Sequence, residues 1–286
     1  MSGYASDQMR SNYMVGINTF GLARKIQEDQ SRTLQRLARI GFDLVEPLLA
    51  PLKEQGEYPK AVLSRETLPQ FIQECGDLGL AIQTAHVFAD PTLPVQRVID
   101  HLAWTHQQTG ISNFVFSGQM ETFAQAEEQA AFMSTLSEAM KKDGCQILYH
   151  NHVRELRPIA ENDGKTAMDH FFKTCDSSIL LQLDAGWAGV AGNEAEIAAR
   201  FASRIFSLHF KDFSIGIRGA YTEQSMPQEK FVAVGSGDIH SAQIIAMCKD
   251  FPQFGGSLII DQDHSTRDIF EDIEFGCHWL RSIAEA

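Results

Sequence analysis

Positive charge is scarce in this chain: 24 Lys and Arg stand against 37 Asp and Glu over 286 residues, a formal net charge of −13. That balance argues against nucleic acid or an anionic membrane as a partner, since both are gripped by clustered Lys and Arg. Long apolar runs are missing too. None approaches the ~18 residues of a membrane-spanning helix, and the N-terminus has no apolar signal-peptide core, so a cytoplasmic location is expected. Cysteine is sparse, with five residues (Cys75, Cys145, Cys175, Cys248, Cys277) that are scattered, odd in number and without a Cys-x-x-Cys pair. The pattern argues against a disulfide framework or a thiolate zinc site and fits buried, reduced thiols. No Gly-x-Gly-x-x-Gly follows the first strand, which removes the main support for a dinucleotide crevice. What remains is 44% hydrophobic and 21% charged residues, ample for a sizeable globular core.

Against that background one stretch stands out, Gln146-Ile147-Leu148-Tyr149-His150-Asn151-His152, with Glu155 close behind. Its apolar run is short and preceded by the breaker Asp143-Gly144, so it reads as a buried strand. Polar groups at the end of a buried strand are costly unless they are paired or bind something. Three more strands end alike. Leu180–Leu183 delivers Asp184, Ile205–Leu208 delivers His209, and Leu258–Ile260 delivers Asp261.

The rest of the chain repeats a strand–helix grammar. Residues 1–12 are polar and aperiodic, which predicts a loose tail. Val15–Thr19 is a first strand. Ser31 is placed to cap a helix whose Leu34, Leu37 and Ile40 share one face, and Gly41 stops it. Phe42–Glu46 is the next strand, ended by Pro47. Further helices are expected over Leu68–Cys75, Val95–Thr109, Ala124–Met140, Thr166–Thr174, Glu194–Ala202, Ser241–Lys249 and Ile269–Ile283, with strands Leu80–His86 and Phe114–Ser117 between them. The strand-end markers Thr19, Glu46, His86, Ser117, His150, Asp184, His209 and Asp261 define eight units. Eight parallel strand–helix units without sequence repetition predict an α/β fold, a single-domain (β/α)8 TIM barrel over residues 13–286, with function at the carboxyl ends of its strands. The one long interval, between His209 and Asp261, holds a polar, Gly-rich segment, Ser214–Ser236, expected as a lid or interface loop.

The four strand-end residues His150, Asp184, His209 and Asp261 form a mixed imidazole–carboxylate set. Such a set suits Mn²⁺, Co²⁺, Fe²⁺ or Zn²⁺ better than Ca²⁺. The segments Tyr149-His150-Asn151-His152, Leu183-Asp184-Ala185-Gly186-Trp187, His209-Phe210-Lys211-Asp212, Gly235-Ser236-Gly237-Asp238-Ile239 and Asp261-Gln262-Asp263 resemble the sugar phosphate isomerase/epimerase family. This is the xylose-isomerase-like superfamily, which includes inosose dehydratase and ketose 3-epimerases. The resemblance runs from about Val15 to the C-terminus. It implies one divalent metal, Mn²⁺ first and Co²⁺, Mg²⁺, Fe²⁺ or Zn²⁺ as alternatives, that polarises a hydroxy-ketone while side chains move a proton at the adjacent carbon. Asp184 and His209 match the family's middle two ligands. His150 and Asp261 stand where many members have Glu.

Around these ligands the expected roles are as follows. His152 and Glu155 are candidate acid/base groups, following His150 by two and five residues. Lys211 is placed to stabilise an enolate oxygen, or to pair with Asp212. His86 and Glu46 are candidates to meet substrate hydroxyls, and Trp187 to wall the pocket. The expected substrate is a sugar or cyclitol without phosphate, because no Gly-rich loop opens a helix near strands seven or eight and basic residues there are few. A metal-dependent isomerase or epimerase is the first reading. A dehydratase or other lyase on the same scaffold is the second, and a non-catalytic binding protein the third. A homodimer or homotetramer is the expected assembly.

Overall fold

A computed structural model of the protein describes residues 13–52, 63–89, 93–159, 163–216 and 218–285. The tail expected over residues 1–12 lies outside them. The strands are β1 (Met14–Asn18), β2 (Leu44–Glu46), β3 (Leu48–Leu52), β4 (Ala85–Ala89), β5 (Asn113–Ser117), β6 (Gln146–His150), β7 (Leu180–Asp184), β8 (Ile205–Phe210), β9 (Asp212–Phe213), β10 (Phe231–Val232) and β11 (Ser257–Ile260). The helices are α1 (Ala23–Glu28), α2 (Gln30–Ile40), α3 (Leu68–Asp77), α4 (Val95–Thr109), α5 (Phe123–Met140), α6 (Ala167–Thr174), α7 (Ala185–Ala191), α8 (Glu194–Phe201), α9 (Ser241–Met247) and α10 (Ile269–Ala284).

Nine strands form one parallel sheet in the order β2-β1-β11-β8-β7-β6-β5-β4-β3. β2 and β3 sit at its two ends yet are separated in sequence only by Pro47, which has no N–H to give to a ladder. They are two halves of one interrupted stave. Val45 N–H donates to Ala81 O (2.9 Å) and His86 N–H donates to Pro47 O (3.0 Å), which closes the ring across the break. The result is the TIM barrel expected from the eight units, with β2 and β3 sharing the second position. Among the described residues no helix is long and apolar enough to cross a membrane.

Helix ends follow local chemistry. Gly41 and Gly110 take the left-handed conformation that terminates α2 and α4 (φ 102° and 76°), a region open to Gly without penalty. Three expectations need correction. The N-cap of α2 is Asp29, whose side chain accepts from Arg32 N–H; Ser31 lies inside the helix and its hydroxyl donates to Glu74. The third stave begins at Ala85 and not at Leu80, so His86 is its second residue and not its last. The chain after Asp184 forms α7 directly, a helix that periodicity did not predict.

The long segment after β8 folds back over the barrel's carboxyl end. β9 and β10 pair antiparallel, and Ile215, Met226 and Phe231 join Trp187, Val190, Phe213 and Ile239 in a second hydrophobic cluster. Asp212 anchors the return. Its carboxylate accepts from the backbone N–H groups of Phe213, Gly235, Gly237 and Ile239, so it is held away from pairing with Lys211.

Candidate active site

Parallel register brings the strand-end polar residues to one level. Asp184 lies opposite His209, Asn18 opposite Glu46, and His150 opposite both Ser117 and Gln182. His150, Asp184, His209 and Asp261 each offer a ligand atom, and these atoms all lie within 4.8 Å of one another; His86, His150 and His209 form an overlapping triplet. All five are buried.

Hydrogen bonds fix the rings. The Gln182 carbonyl oxygen can only accept, so both imidazoles against it are donors: His86 through Nε2 (2.6 Å) and His150 through Nδ1 (3.0 Å). That tautomer leaves His150 Nε2 a lone pair, 3.8 Å from Asp184 Oδ2. Burial lowers the pKa of both rings. His209 differs. Burial opposes its charge, but Glu46 and Asp261 on either side outweigh that and raise it to about 10. Its Nε2 lies 2.6 Å from Glu46 Oε2 and its Nδ1 3.0 Å from Asp261 Oδ2.

Lys211 is the other buried cation. Its ammonium contacts Asp261 and lies 3.2 Å from Asp263 and 3.7 Å from Asp184. Burial opposes its charge as well, and the three carboxylates reverse the effect. Burial pushes Asp184 up to about 6 and Asp263 up to about 7 despite Lys211. For Asp261, Lys211 and His209 overcome burial and hold the carboxyl well below its usual range. Close approach of β8 to α7 puts Lys211 here: a Cβ on Gly186 would stand 2.5 Å from Lys211 Cβ.

Whether this set fits a divalent cation is decided by its orphaned atoms. Asp184 Oδ2 and Asp261 Oδ1 are buried without a hydrogen-bond partner, although buried carboxylate oxygens are normally satisfied. Two such oxygens beside an imidazole lone pair make a donor set suited to a transition-type divalent ion. The Glu46–His209 contact resembles the carboxylate that commonly orients a ligating histidine. The residues fit the group.

A cavity of about 360 Å³ opens over this cluster, lined among others by His86, His150, His152, Trp187, Lys211 and Asp261. His86, His152, Lys211 and Trp187 are thus brought to the cavity as the sequence reading expects. Trp187 also caps the arrangement from α7, its backbone N–H donating to Asp184 Oδ1 (2.8 Å). Burial lowers His152 to about 4. Two candidates are not brought there. Glu46 is fully buried and its oxygens are taken by Asn18 Nδ2, Thr84 Oγ1, Gln182 Nε2 and His209 Nε2; it braces His209 and has no lone pair turned to a sugar. Glu155 is fully buried beyond the strand end, accepting from Tyr149 O–H and His152 N–H (both 2.7 Å). Tyr149 faces Phe171 of α6, on the side of the sheet opposite His150.

Three further residues belong to the site: Gln182 against His86 and His150, and Asp263 and Glu223 in the cavity wall. Gln182 carried a legible signal, a lone amide inside the apolar run Leu180–Leu183. Asp263 sat two residues beyond Asp261, on the same side if the strand continued. Glu223 lies in an aperiodic loop, and nothing local marks it.

The barrel defines the class only as a (β/α)8 TIM barrel, a fold this chain shares with solved structures. No protein-family model matches the chain, and no curated protein matches it; solved structures do. A sugar phosphate isomerase/epimerase from Parabacteroides distasonis ATCC 8503 aligns with TM-score 0.75 and 19% identity, covering 97% of this chain and 96% of that one. A xylose isomerase-like TIM barrel protein from Mycobacterium smegmatis, in complex with magnesium, aligns with TM-score 0.67 and 15% identity over 97% and 99% of the two chains. An L-ribulose 3-epimerase aligns with TM-score 0.66 and 15% identity over 96% and 95%. At these identities the likeness establishes the fold.

Proposed function

We propose that the protein is a divalent-metal-dependent isomerase or epimerase of a hydroxy-ketone sugar or cyclitol. The observation that carries this reading is the convergence of His150, Asp184, His209 and Asp261, two of them with orphaned carboxylate oxygens, beside a cavity that His150 and Asp261 line. These four residues would hold the ion, and Mn²⁺ is our first choice; Mg²⁺ is the ion bound in the Mycobacterium smegmatis protein of the same fold. A divalent cation held by these residues would supply Lewis-acid polarisation of a substrate carbonyl.

The remaining steps belong to the chain's own side chains. Trp187 supplies an apolar wall for the sugar face, continued by Met226 and Phe231 of the same hydrophobic cluster. Lys211 Nζ is fixed among carboxylates at the cavity floor, where it places positive charge beside an oxygen that gains negative charge. His152 lines the same cavity, with its ring centroid 5.2 Å from that of His150. It is the residue placed to take a proton from the carbon next to the carbonyl and to return it. Return by His152 to the neighbouring carbon on the same face isomerises; epimerisation would need a second acid to deliver the proton to the opposite face of the same carbon. Glu155, turned toward Tyr149, is outside the proton path.

The test is to incubate D-fructose and inososes in D₂O with and without Mn²⁺ and to follow exchange and product by NMR. Deuterium entering the α-carbon only with metal present is the expected result, and its loss in His152→Gln at unchanged metal content assigns the base. Turnover that proceeds equally in EDTA, or at the parent rate in His152→Gln, refutes the scheme.

A further inference from the structure

A second cavity, about 720 Å³, adjoins the first, and Phe88, Ser117, His152 and Glu223 line both. It extends outward between the end of β5 and the start of α5. Both volumes fall within the ~300–1,000 Å³ of small-molecule sites, so the inner cavity alone is of a size for a single small ligand and the outer one adds room for a second. Its walls are of two kinds. Phe116 and Phe132 stand edge-to-face, ring centroids 6.2 Å apart, and give an aromatic surface. Gln119, Gln129 and Gln224 bring amides, each able to donate and accept, as a sugar hydroxyl requires. Charge on this wall offers nothing to an anion. Arg154 is the one Lys or Arg among the described lining residues. Its guanidinium is engaged by Glu121 (2.9 Å) and Glu223 (3.5 Å), while Glu128 adds a further acid. Lys211 in the inner cavity is likewise held among three carboxylates.

We propose that the outer cavity is a subsite for a second, neutral ring, so that the substrate is a sugar ketone joined by a glycosidic bond to another sugar or similar hydroxylated ring. This rests on the isomerase/epimerase reading and narrows its substrate class. A phosphorylated monosaccharide is disfavoured by the engaged cations, and a free monosaccharide leaves the larger cavity to water.

The test is calorimetric titration of the Mn²⁺-supplemented protein with D-fructose, D-fructose 6-phosphate and four fructose-ended disaccharides (turanose, maltulose, leucrose and isomaltulose). At least one disaccharide is expected to bind about tenfold or more tighter than D-fructose. Ala89→Phe, which intrudes into the outer cavity, and Phe132→Leu, which removes its ring without a large void, are expected to erase that gain while leaving D-fructose affinity within about twofold. Equal affinities across the series, tighter binding of the phosphate, or a gain untouched by both variants overturns the proposal. Deuterium exchange run alongside separates the two readings. Disaccharide preference without exchange leaves the subsite standing and removes the isomerase reading. Exchange on D-fructose without disaccharide preference does the reverse, and no binding by any of the six sugars overturns both.

Discussion

Replacing Glu155 by Gln should stabilise the protein by an amount that grows as pH rises from 4.5 to about 7 and stays constant above it. The Glu155 carboxyl is fully buried. Its Oε1 accepts from Tyr149 O–H and His152 N–H, and its Oε2 has no partner. Burial pushes its pKa from the ordinary 4.5 up to about 7. Below pH 4.5 the folded and unfolded chains both hold the proton, and stability is at its full value. As pH rises toward about 7 the unfolded chain gives up the proton while the folded chain keeps it, so stability falls; beyond that the folded chain carries a buried charge. A shift of that size corresponds to about 3 kcal/mol at most, at ~1.4 kcal/mol per pH unit. Gln keeps the accepting oxygen and cannot ionise. Glu155→Gln should therefore melt within about 1 °C of the parent at pH 4.5 and up to about 5 °C above it at pH 8.5. Melting curves at the two pH values test this. An advantage equal at both pH values, or absent at pH 8.5, refutes the assignment of a buried, proton-bearing carboxyl. Turnover should be retained, since Glu155 lies off the cavity.

Other outcomes follow from the same geometry. Glu46→Gln removes the carboxylate bracing His209 and should weaken Mn²⁺ binding by about 10–100-fold, read by calorimetric titration. Lys211→Met removes the ammonium held against Asp261, Asp263 and Asp184; Mn²⁺ affinity should rise about tenfold or more while turnover falls, a divergence that titration and a D₂O exchange assay reveal together. Phe171→Ala opens a hole beneath Tyr149 in the sheet–helix layer and should cost about 3–5 kcal/mol in denaturant unfolding, without change in metal affinity.

The barrel was legible because its signals are local. Glycines at Gly41 and Gly110 mark helix ends by backbone freedom alone, and the apolar runs ending in His150, Asp184, His209 and Asp261 each report a buried strand. α7 was not legible, because Ala185–Val190 is buried on every side, so no polar face alternates with an apolar one. Its start depends on Asp184, which serves as N-cap while its other oxygen faces the cluster. Glu155 was misplaced for a related reason. Counting five residues from His150 presumes the chain keeps its direction, but the strand ends at His150 and a short turn carries Glu155 to the far side of the sheet, under Tyr149. Glu46 illustrates the converse. Strand alternation gives its direction, but its four partners come from separate staves, and only the closed ring brings them together.

The central claim is that His150, Asp184, His209 and Asp261 together hold one divalent ion, and metal content tests it most directly. Parent protein and Asp184→Asn are each equilibrated with Mn²⁺, desalted and assayed by elemental analysis. The account predicts close to one Mn²⁺ per parent chain and almost none in Asp184→Asn, with both proteins folded by circular dichroism. A parent chain that retains no divalent ion, or an Asp184→Asn variant that retains as much as the parent, would contradict it.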